Sequence, residues 1–118
     1  MAKHNEYTLQ CSCLNYFDLQ YPKLEKNYFH IHNEGTSASR GAFGKKMGIR
    51  SGIADTFLAV ARQGFNGLFI EFKSEKGRQS PEQKLFEQAV TAQGYGYVVI
   101  RDFLDFKIQI DSYLRDER

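Results

Sequence analysis

The sequence predicts a single mixed α/β domain, in which a four-stranded sheet is flanked by helices. Three observations predict this class. Apolar residues at helical spacing lie near both ends of the chain, short runs rich in aromatic and β-branched residues lie between them, and a strongly capped helix separates the last two runs. A length of 118 residues suits one domain, which we expect to span residues 1–118. The predicted element order is α-β-β-β-α-β-α.

The first helix is expected over residues 6–21, because apolar side chains there recur at helical spacing and Pro22 then stops the helix. The alternating segment YFHIH, residues 28–32, predicts the first strand. A short helix is expected within residues 40–47, before the second strand.

The second and third strands are expected at residues 53–60 and 68–73. Turn residues separate them: Gly64 and the pair Asn66-Gly67. Because the connection is short, the two strands should form an antiparallel hairpin.

The segment Ser80-Pro81-Glu82-Gln83 predicts a helix start. Ser80 can cap the helix, Pro81 fits its first position, and Gln83 can complete a capping box. We expect this helix to end near residue 93, before a glycine.

A fourth strand is expected at residues 97–101, in the segment YVVIR. A strand, a helix and a strand in succession imply a right-handed crossover, so the fourth strand should run parallel to the third. Apolar residues at helical spacing predict a closing helix: Phe106, Ile110, Tyr113 and Leu114.

Composition limits the class of protein. Hydrophobic residues make up 42% of the chain, which is enough for a core, and the net charge is only +2. No apolar run approaches the roughly 20 residues that span a bilayer, and the N-terminus lacks a signal-peptide core. We therefore expect a cytoplasmic protein that does not enter a membrane. Cys11 and Cys13 complete no zinc pattern and are expected to be free thiols, one or both of them in the core.

The positive charge is concentrated between residues 33 and 52. This stretch holds four cations, one acid (Glu34), five glycines and three serines; the cations are Arg40, Lys45, Lys46 and Arg50. Such a stretch can contact phosphates through side chains and backbone N–H groups. It can equally be a solvated loop, and composition does not decide between the two.

Two carboxylates and a lysine are expected to converge at one end of the hairpin. Glu71 and Lys73 lie on the same face of the third strand, because side chains alternate along a strand. Asp55 precedes Glu71 by sixteen residues, so a turn near Gln63 or Gly64 would place Asp55 opposite, or nearly opposite, Glu71. Cross-strand neighbours have Cβ atoms only about 5 Å apart.

Two carboxylates at that spacing repel each other unless a cation lies between them. Mg²⁺ commonly uses one or two carboxylates plus water, and the carbonyl oxygen of Phe72 could be a further ligand. Lys73 could then orient or deprotonate the attacking water in the hydrolysis of a phosphodiester. The alternative is that Asp55, Glu71 and Lys73 are ordinary charges at strand ends.

The same residues carry a resemblance to a known family. The chain resembles the VRR-NUC family of the PD-(D/E)xK nuclease superfamily. The resemblance lies in the segment from MGIRSGIADTFLA through GLFIEFKSEKGRQSPEQKLFEQAV to GYGYVVIRD. The match includes Gly48, Gly52 and Asp55, the strand GLFIEFK, the helix start with Gly77, Ser80 and Gln83, and the last strand. It covers residues 28–114 well and the first helix more loosely. One departure is Ala54, where the family usually has proline before the aspartate.

The resemblance implies a restriction-endonuclease-like core and a set of roles. Asp55 and Glu71 would bind Mg²⁺ or Mn²⁺ together with the carbonyl of Phe72, and Lys73 would be the catalytic lysine. Gln83 would lie near the site, although its capping role explains it without catalysis. Glu6 would be the acid of the first helix and would share a face with Gln10, although an exposed acid is also favoured there by the helix dipole.

The resemblance also implies a function. Stand-alone members of the family are small and common in phages and bacteria. They look like homodimers that cut branched DNA such as Holliday junctions. We therefore expect a structure-selective DNA endonuclease, located in the bacterial host cell if a phage encodes it. Two alternatives remain: a non-catalytic DNA-binding or assembly subunit, and a nuclease that acts on flaps, nicks or single strands. His30 and His32 share a strand face and either contact DNA, lie near the metal or form a half-exposed pair.

Overall fold

The first helix supports one side of the core. A computed structural model describes residues 5–32 and 45–115. Helix α1 spans Glu6–Gln20, and the side chain of Asn5 caps it by accepting a hydrogen bond from the backbone N–H of Thr8 (3.0 Å). Its buried residues are Cys13 and Phe17. The helix ends just before Pro22, as predicted, but a 3-10 helix at Pro22–Asn27 that the sequence pattern did not predict then leads into the sheet.

The sheet has four strands in the order β1-β2-β3-β4. They are β1 (Tyr28–His30), β2 (Thr56–Leu58), β3 (Leu68–Phe72) and β4 (Gly96–Ile100). The first two pairs are antiparallel and β3 runs parallel to β4, which confirms the predicted order and directions. The predicted first and second strands were too long, because only single hydrogen bonds, such as Ile31 N–H to Asp55 O (2.8 Å), continue beyond the paired residues.

A two-residue turn closes the predicted hairpin and sets its register. Gln63 and Gly64 both have positive φ angles, 55° and 86°, and the flanking Arg62 and Phe65 exchange backbone hydrogen bonds of 3.2 and 2.8 Å. This is the geometry that best matches the twist of antiparallel strands. Thr56 pairs with Ile70, so the next residues in the same register are Asp55 and Glu71.

Two further helices cover opposite faces of the sheet. Helix α2 spans Pro81–Thr91, and Phe86 on this helix meets Phe69 of the sheet edge to face, with ring centroids 5.0 Å apart. Helix α3 spans Phe103–Tyr113 and packs on the other face, where Phe106 contacts Phe72 with ring centroids 6.1 Å apart. Together with α1, α3 encloses one main cluster of buried apolar side chains. The single mixed α/β class is therefore confirmed.

Other expectations have mixed outcomes. Cys13 is buried in the core and Cys11 is exposed, so one of the two thiols packs as expected. Residues 45–47 are helical, and the rest of the predicted short helix lies outside the described residues. Within the described ranges, no helix has the length and apolar character needed to cross a membrane.

The loop before Asp55 is held against α2 through a glycine. Gly52 has a φ of +83°, and a Cβ atom there would lie 2.6 Å from the carbonyl carbon of Glu82. Gly48 has a similar φ of +101°, but no described atom lies within 4 Å of its would-be Cβ. The two glycines therefore share a backbone requirement, and only Gly52 also has a packing requirement.

Replacing Gly52 with alanine should destabilise the protein more than replacing Gly48. Both changes incur the cost of a positive φ, about 1–2 kcal/mol. Only Gly52→Ala forces backbone atoms of two segments apart, which should add about 1–3 kcal/mol. Urea unfolding of the two variants beside the wild type measures this difference, and equal losses of stability would contradict the close packing of Gly52 on Glu82.

Candidate active site

Asp55 lies at the end of the sheet where three strands meet. Its backbone carbonyl accepts a hydrogen bond from Ile31 after β1. Its side-chain Oδ2 accepts a hydrogen bond of 2.7 Å from the backbone N–H of Phe72 at the end of β3. These two bonds fix the carboxylate beside Glu71, as the hairpin register requires.

Glu71 is a buried carboxylate, with only 2% of its surface exposed. Its Oε2 accepts a hydrogen bond of 2.7 Å from the Gln83 side chain and lies 3.5 Å from Nζ of Lys73. Its Oε1 is buried and has no hydrogen-bond partner among the described residues. A buried carboxylate oxygen without a partner is costly, and such a group calls for an explanation such as an ion.

The two carboxyl groups influence each other's ionisation. The pKa of Glu71 is raised to about 7, mainly by burial, then by the nearby charge of Asp55 and more weakly by that of Glu6. Lys73 partly offsets this increase. Burial and the charge of Glu6 also raise the pKa of Asp55, against the lowering effects of the Phe72 N–H, Lys73 and His30. The metal-free site therefore holds more negative charge than it can easily stabilise, which favours binding of a cation.

The stability of the metal-free protein should fall as pH rises, because of Glu71. Its folded-state pKa of about 7 lies above its ordinary value of 4.5, so the folded state binds the proton more tightly than the unfolded state. The contribution is fully present below pH 4.5 and is lost as pH rises through 7, a change on the order of 3 kcal/mol. Thermal unfolding in EDTA between pH 5 and 8 tests this. Glu71→Gln should flatten the slope, and an unchanged slope in that variant would contradict the assignment.

Lys73 follows β3 directly and lies within the same group. Its backbone N–H donates to the carbonyl of Ile100 (3.0 Å), which continues the pairing of β3 with β4. Its side chain is 14% exposed. The ammonium group is therefore held beside Glu71 while it remains accessible to a ligand.

Gln83 serves both of the roles weighed from the sequence. Its Oε1 accepts from the backbone N–H of Ser80 (2.8 Å), and its own backbone N–H donates to the Ser80 hydroxyl (3.1 Å), which completes the capping box. Its amide nitrogen donates to Glu71. One side chain thus anchors the start of α2 and orients the buried carboxylate.

Glu6 lies in the first turn of α1. Its Oε2 accepts a hydrogen bond of 3.2 Å from the backbone N–H of Ser74, directly after Lys73. Glu6 and Gln10 line the same cavity as Asp55, so the shared helix face expected from the sequence does point at the carboxylates.

The basic segment is only partly described. Arg40 lies outside the described residues, while the side chains of Lys45, Lys46 and Arg50 are exposed. None of these three cations lines the cavity shared by Glu6, Gln10 and Asp55, or a second cavity that Lys73 lines. The structure therefore does not group them with Asp55 and Glu71.

One supporting residue was missed in the sequence. Arg101, directly after β4, donates from one guanidinium nitrogen to the carbonyls of Ser74 (2.9 Å), Glu75 (3.4 Å) and Gly77 (2.6 Å). It thereby holds the turn that follows Lys73. The sequence signal that could have identified Arg101 is its position at the end of the predicted fourth strand, next to the end of the third.

The donor set fits a hard divalent cation. Across residues 5–32 and 45–115 there is no cluster of three or more His, Cys, Asp and Glu side chains arranged to hold a metal ion. A metal at this site would thus rest on two carboxylates, a backbone oxygen and water, a combination that Mg²⁺ accepts. The unpartnered Oε1 of Glu71 is the ligand atom that the structure leaves available.

The fold is a four-stranded mixed sheet flanked by helices, which is consistent with a restriction-endonuclease-like fold. Paired carboxylates and a lysine lie at the ends of its strands. A solved structure named "VRR_NUC domain protein" has the same fold, with a TM-score of 0.83, over 97% of this chain and 91% of its own. The two sequences are 24% identical, so the likeness concerns the fold. It confirms the fold expected from the VRR-NUC resemblance. No protein-family model and no curated protein sequence matches this chain.

Proposed function

We propose that this chain is a VRR-NUC nuclease of the PD-(D/E)xK type, which hydrolyses phosphodiester bonds in DNA with Mg²⁺ or Mn²⁺. The observation that carries the proposal is the buried Glu71, which has one oxygen without a partner and lies beside both Asp55 and Lys73. Purely structural charges at a strand end would be exposed or fully paired. The fold shared with a VRR_NUC domain protein supports the same conclusion.

The metal ion would be held by Asp55, Glu71 and the carbonyl oxygen of Phe72. When bound, it supplies Lewis-acid stabilisation of the phosphate and lowers the pKa of water. The protein residues complete the centre. Gln83 holds Glu71 in place, and the ammonium group of Lys73 is placed to stabilise charge on the phosphate and to orient the attacking water.

The basic segment is proposed to contact the DNA backbone away from the carboxylates. Phosphate contacts supply affinity without reading the base sequence. Exposed side chains suit this role, as found for Lys45, Lys46 and Arg50, and Arg40 completes the proposed set. A nuclease that selects DNA by its shape is consistent with such contacts.

We further propose that the substrate is branched DNA, such as a Holliday junction, and that the protein acts as a homodimer in the cytoplasm. The branched substrate and the homodimer come from the resemblance to stand-alone VRR-NUC proteins. A dimer would bring two sites to two strands, which a single 118-residue domain cannot easily do.

A substrate panel tests the proposal. Labelled four-way junction, flap, single-stranded and linear duplex DNA are incubated with the protein in Mg²⁺, in Mn²⁺ or in EDTA. Metal-dependent cleavage with a preference for the junction is the expected result. A preference for flaps or single strands would retain the nuclease and reject the junction substrate. Binding without cleavage of any substrate by folded protein would instead favour a non-catalytic DNA-binding subunit.

A further inference from the structure

A cavity of about 530 Å³ opens beside Asp55. Six residues line it: Glu6, Tyr7, Gln10, Cys11, His30 and Asp55. Two of these side chains are acids, so an anion in this cavity would need a hydrogen-bond donor beside it. The imidazole of His30 can supply one from a ring N–H group.

The fold places His30 next to Asp55. His30 is the last residue of β1 and pairs with Thr56, which directly follows Asp55. The next residue, Ile31, donates its backbone N–H to the carbonyl of Asp55 (2.8 Å).

A contact with α1 holds the imidazole ring of His30. The amide nitrogen of Gln10 lies 3.0 Å from Nδ1 of His30. With the amide nitrogen facing the ring, Gln10 is the donor and Nδ1 the acceptor, so the ring proton resides on Nε2. This leaves an Nε2–H group as a hydrogen-bond donor for a ligand in the cavity.

We propose that His30 is a further catalytic residue of the nuclease, one that donates a hydrogen bond from Nε2–H to a non-bridging oxygen of the scissile phosphate. Gln10 is then a positioning residue, which acts by holding the ring. His30 forms and breaks no covalent bond in this role. The inference rests on the proposed nuclease function and adds a residue to its site.

Lys73 and His30 occupy separate sides of the centre. Lys73 lines a different cavity, of about 640 Å³, which shares no lining residue with the one that contains His30. A phosphate at the carboxylates would therefore meet a cation on one side and the imidazole donor on the other. Donors aimed at developing charge from two sides are an effective form of electrostatic stabilisation.

The neighbouring histidine provides a matched control. His32 lies two residues further along the chain, and its ring centroid is 6.1 Å from that of His30. It does not line the cavity beside Asp55. Replacing either histidine with alanine removes the same side chain from the same short segment, and only one replacement removes the proposed donor.

The test is single-turnover cleavage of whichever panel DNA the wild type cuts fastest, at saturating protein and metal. His30→Ala should slow cleavage roughly 10- to 100-fold, the value of one hydrogen bond to a charged group. His32→Ala should remain within about twofold of the wild type. His30→Gln, which keeps an amide donor near the position of Nε2, should recover part of the loss. DNA affinity and unfolding temperature are measured for each variant, so that a lower rate is not confused with weaker binding or poor folding.

The role of Gln10 is tested by a double-mutant cycle with His30. Gln10→Ala should slow cleavage in the wild-type background and have no further effect when His30 is already alanine, because Gln10 acts through the ring. Additive losses would show that Gln10 has a separate role.

The outcomes separate this inference from the proposed function. If the wild type cleaves DNA and His30→Ala cleaves as fast as His32→Ala, the inference fails while the nuclease remains. Equal losses in both histidine variants would also overturn it, since the effect would then not be specific to the cavity. If the folded wild type cleaves no DNA, the proposed function fails and the inference fails with it.

Discussion

Replacing Asp55 with asparagine should remove metal-dependent DNA cleavage while leaving the fold intact. Asparagine has nearly the same size and can still accept the hydrogen bond from the N–H of Phe72. It lacks the negative charge, so the site keeps one carboxylate for the cation instead of two. Loss of Lewis-acid stabilisation worth several kcal/mol should lower the cleavage rate by about 10³-fold or more.

A binding measurement accompanies this rate. In wild-type protein Mg²⁺ should raise the unfolding temperature, because it binds the folded state, and in Asp55→Asn that increase should be small. Without metal, the variant should be at least as stable as the wild type at pH 8, because the charge of Asp55 opposes ionisation of Glu71. Glu75→Gln is a suitable control, since it neutralises an exposed acid in the turn after Lys73. An Asp55→Asn variant that cleaves at the wild-type rate would exclude Asp55 as a metal ligand.

Replacing Lys73 with alanine should lower the cleavage rate by about 10²- to 10³-fold, the usual contribution of a preorganised group that stabilises developing charge. The ammonium group is held 3.5 Å from Glu71 and is only 14% exposed, so no other described cation is equally placed at Glu71. The loss should appear in the rate at saturating DNA more than in DNA affinity, because one phosphate contact contributes little to overall binding.

Lys76→Ala is the matched control for this change. Lys76 lies three residues further along and lines the same cavity as Lys73, so its loss removes one positive charge from the same surface. It should weaken DNA binding slightly and leave the rate at saturating DNA close to that of the wild type. Similar rate losses in both variants would show that Lys73 contributes only general positive charge.

The sequence was most informative where one local signal determined one geometry. The turn at Gln63-Gly64 fixes the hairpin register, and that register places Asp55 opposite Glu71. In the same way, Ser80 and Gln83 carry a capping signal that determines where α2 begins. Such short-range patterns depend on few residues, so they can be identified before the tertiary structure is known.

The parts that could not be predicted depend on contacts between distant segments. Gln10 and His30 meet across twenty residues, and Arg101 reaches back over more than twenty to hold Ser74 and Gly77. No pattern of hydrophobic spacing specifies such polar pairs, because they arise only after the helices have packed on the sheet. The burial of Glu71 was missed for a related reason. Strand alternation places Glu71 on the face with Phe69, and its burial depends on α2, whose Phe86 packs on Phe69 and whose Gln83 bonds the carboxylate.

The central claim is that Asp55, Glu71 and Lys73 form a metal-dependent phosphodiesterase centre. The most direct measurement compares cleavage of labelled junction and single-stranded DNA by wild type and Glu71→Gln, across a titration of Mg²⁺ from EDTA upward. The account predicts that wild-type cleavage is absent in EDTA and rises with Mg²⁺, while the folded variant is slower by about 10³-fold at every Mg²⁺ concentration. Wild-type cleavage in EDTA, or equal rates in the two proteins, would contradict it.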